Sequence, residues 1–130
     1  MSTKTIVTAG SQGMYDQFHF ADATVSNGHI FCSGTIGTGD DGRLPESLLE
    51  EFRHAWQKVG MVLAEAGADF SDIVEYTTYH VGLQTHMGEF MKARDEVLAE
   101  PWPAWTAIGI TELAVPGAHV EIRVTARLTS

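Results

Sequence analysis

From His119 to Leu128 the chain alternates without a break. Val120, Ile122, Val124, Ala126 and Leu128 are apolar; His119, Glu121, Arg123, Thr125 and Arg127 are polar. Successive side chains of an extended strand point to opposite faces, so this period of two assigns one face to a core and the other to water or a partner. A strand half buried in this way cannot stand alone. It needs neighbouring strands and a hydrophobic layer packed on one side of the sheet they form.

Two segments can supply that layer. Leu48, Leu49, Phe52, Ala55, Trp56, Val59, Val62, Leu63 and Ala66 recur at helical spacing and make one apolar face. Pro45 suits the first position of this helix, Glu46, Glu50 and Glu51 favour the positive end of its dipole, and Gly67 suits its stop. Thr85 is placed to cap a second helix running to about Ala99, with Met87, Phe90, Met91, Val97 and Leu98 inward and Pro101 and Pro103 beyond its end.

Further strands are expected over residues 5–8, 20–25, 29–33, 73–81 and 104–110, the second and third joined as a hairpin through Asn27-Gly28. Residues 9–13 and 34–42 read as loops. The order is β-β-β-α-β-α-β-β, which predicts one α/β (α+β) domain over residues 1–130: a mixed sheet with two helices packed on one face. The other sheet face is left without helices, and a second copy of the chain is its simplest cover.

Composition narrows the function. With 8 basic and 17 acidic residues the formal charge is −9, which opposes binding to nucleic-acid backbones and to anionic membranes. Cys32 is the single cysteine, so no internal disulfide can form. No secretory signal is read at the N-terminus and no apolar run approaches the length of a membrane span, so a cytoplasmic location is expected. The histidines lack metal-pair spacing, and no phosphate loop, dinucleotide fingerprint or serine-hydrolase elbow occurs; no metal or cofactor is expected.

Several separated segments then resemble one family. Cys32-Ser33-Gly34, Ala66-Gly67, Asp72-Ile73-Val74, Tyr79-His80-Val81, Pro103-Ala104 and the run from Leu113 to Ile122 are similar, in order, to the Rid/YjgF proteins, also called reactive-intermediate deaminases or liver perchloric-acid-soluble proteins. The resemblance implies a chorismate-mutase-like fold and a homotrimer with small-molecule clefts between subunits. It also implies hydrolysis of an enamine or imine to a ketone and ammonia. Ser33 and Gly34 match the family's ligand-binding cleft residues, and Glu121 matches its cleft glutamate, expected to position or activate water.

Two positions depart from the pattern. Phe20 stands where a tyrosine is usual, and Trp105 stands where the motif Pro-Ala-Arg has its arginine. A neutral indole cannot make the arginine's bidentate contact to a carboxylate, so the cleft is expected to prefer a neutral, cationic or aromatic ligand. Arg123, two residues beyond Glu121 on the same strand face, is the candidate replacement cation or an ion-pair partner of Glu121.

The residues leave other readings open: Glu121 as a solvated or interface carboxylate, Ser33 as a hydroxyl bonding backbone, Trp105 as packing. At the level of function a non-catalytic, ligand-binding trimer stands beside the deaminase. An endoribonuclease-like activity is a third reading, disfavoured by the charge.

Overall fold

The computed structural model describes residues 3–128. The alternating segment forms β7 (Val120–Arg127), and it lies in the middle of the sheet. On one side it pairs antiparallel with β3 (His29–Cys32) and the two-residue β4 (Thr35–Ile36); on the other it pairs antiparallel with β5 (Ile73–His80). Beyond β3 come β2 (Ala23–Ser26) and the edge strand β1 (Lys4–Ile6); beyond β5 comes the other edge, β6 (Ala104–Gly109), parallel to β5. The β2–β3 hairpin turns through Asn27 and Gly28, both at positive φ (53° and 78°). Both central residues of a type I′ turn require that, and the Asn-Gly pair tolerates it.

One sheet face carries α2 (Leu48–Ala66) and α3 (Leu83–Arg94). The predicted apolar stripe of α2 is the core: Phe52, Ala55, Trp56, Val59 and Leu63 are buried against Ile122, Val124 and Ala126 of β7 and Phe90 of α3. Trp56 meets Tyr76 and Phe90, and Phe52 meets Phe90 edge-on, so aromatic contacts bind the helices to each other and to the sheet. The opposite face carries no helix among the described residues. Phe31 and Ile108 stand exposed there, in register with Thr125 and Tyr79.

Four local expectations are corrected. The stretch read as a loop at residues 9–13 is a 3-10 turn (Ala9–Ser11) leading into a third helix, α1 (Gln12–Phe18). That helix buries none of its residues, so it has no apolar periodicity to read. Pro45 does not open α2: Ser47 is the N-cap, accepting from the Glu50 N–H. Thr85 does not cap α3, which starts after Gly82, whose φ of 81° an L side chain would resist. The loop after Gly34 contains β4, held by Lys58 of α2, whose ammonium donates to the Ile36 carbonyl and the Thr38 hydroxyl.

Candidate functional site

Glu121 projects from β7 on the helix-free face, level with Ile36 of β4 and Tyr79 of β5. Its carboxyl lies directly against Gly34: a Cβ at that position would overlap it. Glycine there is a requirement of close approach, with no backbone strain involved. The carboxyl has no hydrogen-bond or ion-pair partner among the described residues, and burial pushes its pKa above the ordinary value. Arg123 makes no ion pair with it; that residue faces Thr77 in the ladder. Glu121 is thus a desolvated carboxyl held against a glycine, uncommitted to any neighbour.

Ser33 adjoins this place, but its hydroxyl donates to the Ala21 carbonyl at 2.7 Å and its N–H to the Asp22 carbonyl at 2.9 Å. These bonds tie the strand end to the segment that carries Phe20, which is exposed. Ser33, Gly34 and Glu121 therefore come together, with Phe20 one residue from the carbonyl Ser33 holds. Cys32 faces the core, and burial, assisted by Asp22, pushes its thiol up to about 11. That removes it as a nucleophile.

Trp105 lies elsewhere. In β6 it pairs with Tyr76, whose side chain is on the helix-covered face. Its ring stacks on Tyr76 (5.7 Å between centroids) and on Phe90 (5.9 Å), and the Arg94 guanidinium stands 5.0 Å over it. Its Nε1–H donates to the Thr78 hydroxyl at 2.9 Å. The same hydroxyl is paired with Nε2 of the fully buried His80 at 2.6 Å, and burial followed by the nearby His86 lowers the His80 pKa. Within one chain the strand pleat sends Trp105 and Glu121 to opposite faces of the sheet.

Glu51, read from the sequence only as a residue favourable to the helix dipole, is 1% exposed. Its Oε2 accepts from the His119 N–H at 2.7 Å, and its Oε1 pairs with the His119 ring Nδ1 at 2.8 Å. The available signal was its phase: it lies three residues after Leu48 and four before Ala55, inside the apolar stripe. Among the described residues no group of three or more histidine, cysteine or carboxylate side chains is placed to hold a metal ion.

The fold defines a class: small α+β proteins built on a mixed sheet with helices packed on one face. The family model described as Endoribonuclease L-PSP matches residues 5–128. RutC family protein YjgH of Escherichia coli is 32% identical over 124 residues, covering 95% of this chain and 93% of that protein. A solved structure of protein YJGH superposes with a TM-score of 0.89 at 30% identity, over 100% of this chain and 99% of that one. YyfA of Yersinia pestis, a member of the Rid protein family, shares the fold with a TM-score of 0.87 at 23% identity, over 98% of this chain and 100% of that one. The chain belongs to the L-PSP, or Rid/YjgF, family.

Proposed function

We propose that this protein hydrolyses a small enamine or imine to a ketone and ammonia, with Glu121 handling the proton of the attacking water. The observation that carries the reading is the uncommitted, desolvated Glu121 carboxyl against Gly34. Water adds to the C=N carbon while Glu121 takes its proton. The carboxyl passes that proton to the nitrogen, giving a carbinolamine, and then carries the hydroxyl proton to the nitrogen as the C–N bond breaks, so that the carbonyl forms and ammonia leaves. An acid whose pKa is raised towards the working pH is suited to both transfers.

The cleft is completed, on this proposal, by neighbouring copies in a homotrimer. Glu121 and the edge strand bearing Trp105 face different sides of one sheet, so a cleft using both needs two copies. The substrate is a neutral, cationic or aromatic imine. Trp105 offers no cation, and the Arg94 guanidinium above it is paired with Asp95 at 2.9 Å. The −9 charge weighs against RNA as substrate and is compatible with a cytoplasmic enzyme.

The test uses imines generated in situ by amino-acid oxidases. Glu121→Gln should retain the trimer and lower turnover by about 10²-fold. Gly34→Ala should push the carboxyl aside, abolishing turnover with little loss of stability, because the side chain it meets is flexible. Turnover unchanged in both variants would remove Glu121 from the mechanism, and no turnover by the unmodified protein would leave ligand binding without catalysis as the function.

A further inference from the structure

A second recess, whose lining includes none of Ser33, Gly34 and Glu121, lies around His119. The Glu51 carboxylate beneath it has lone pairs only, so with the imidazole neutral the proton must sit on Nδ1 and the lone pair on Nε2. Tethering the loop to α2 needs only the backbone bond from the His119 N–H; the ring bond does something further, fixing one tautomer. Nε2 makes no hydrogen bond among the described residues, and the His119 side chain is 39% exposed. His86 stands edge-on to it, 5.3 Å between ring centroids.

His119 opens onto a recess of about 650 Å³ formed with Val81 and the loop of residues 111–118. Its walls include Leu113, Val115 and Pro116, and its polar margin includes Glu112. We propose that this recess binds a small molecule with an apolar body and one neutral or cationic O–H or N–H donor, received by His119 Nε2. The apolar walls take the body, the fixed tautomer takes the donor, and Glu112 together with the −9 charge excludes anions. The inference does not depend on imine hydrolysis, since neither Glu51 nor His119 has a part in that chemistry.

The test is a reversal of preference. In Glu51→Gln the His119 N–H still needs an acceptor, which turns the amide oxygen towards it and the amide NH₂ towards Nδ1. Nδ1 then accepts, and Nε2 carries the proton and becomes a donor. Phenol, toluene, benzoate and acetophenone are the probes, followed through the ¹⁵N signals of His119. With the unmodified protein, phenol should shift Nε2 saturably, while toluene and benzoate should not. In Glu51→Gln, acetophenone, which can only accept, should gain a saturable shift that it lacks with the unmodified protein, and the preference for phenol over acetophenone should fall by about tenfold, one hydrogen bond gained.

His119→Phe, followed through the backbone amide signals of residues 111–118, should lose the preference for phenol over toluene, and this arm stands even if Glu51→Gln fails to fold. No saturable shift at His119, an equal response to toluene, or an unchanged donor preference in either variant would overturn the proposal.

Discussion

Thr78 shows how much can rest on one hydroxyl. It is fully buried, and its oxygen meets Trp105 Nε1 and His80 Nε2 together. The hydroxyl accepts from Trp105 Nε1 and pairs with His80 Nε2, so it serves one nitrogen of each ring, and the His80 Nδ1 is left without a partner. Thr78→Val keeps the shape and takes this partner away from both ring nitrogens. We expect a loss of about 2–4 kcal/mol in urea unfolding, from two unsatisfied ring nitrogens at roughly 1–3 kcal/mol each, offset by the added methyl.

Glu121 gives a prediction of opposite sign. Its folded pKa is raised, so its contribution to stability is full below the unfolded value and is lost as pH rises through the folded value. Glu121→Gln should therefore melt at a higher temperature than the unmodified protein at pH 8, with the gain vanishing near pH 4. A gain present equally at both pH values would show that desolvation is not the cause.

At the scale of elements, β4 is the weak member, because two residues make few ladder bonds and Lys58 substitutes for the rest. Burial lowers the Lys58 pKa, which marks the cost of placing an ammonium there. Lys58→Met should leave the Ile36 carbonyl unpaired and speed amide exchange over residues 34–38 by about tenfold, read by hydrogen-exchange mass spectrometry. Unaltered exchange would mean that the ladder to β7 suffices.

Elements with a strong period were legible in the sequence: the stripe of α2, the alternation of β7 and the Asn-Gly hairpin all carry their signal within a few residues. α1 was not legible because nothing in it is buried, and β4 because two residues have no period. In the candidate site, Ser33, Gly34 and Glu121 were readable as strand-end residues. The orientation of Trp105 was not, since it is decided by a hydroxyl 27 residues away, and the use of Glu51 is decided by a backbone N–H 68 residues away.

At the scale of the whole molecule, the open sheet face exposes Phe31 and Ile108 beside Thr106, Arg123 and Glu121. We predict that copies of the chain cover it, and that light scattering at micromolar concentration gives three times 14.2 kDa. Ile108→Lys should shift the mass towards the monomer while leaving the circular dichroism of the fold in place; a monomeric unmodified chain would remove both the trimer and its clefts.

The position of β7 has a consequence for synthesis. It is the last of these strands in chain order, yet among the described residues it alone joins β1–β3 to β5 and β6, and it alone pairs with β4. A nascent chain halted before Val120 holds two sheet fragments with no strand between them and an apolar α2 with half its partner surface missing. Folding on the ribosome must wait until residues 120–127 have left the exit tunnel. Until then their unpaired strand edges and the uncovered stripe of α2 are open to association with other chains.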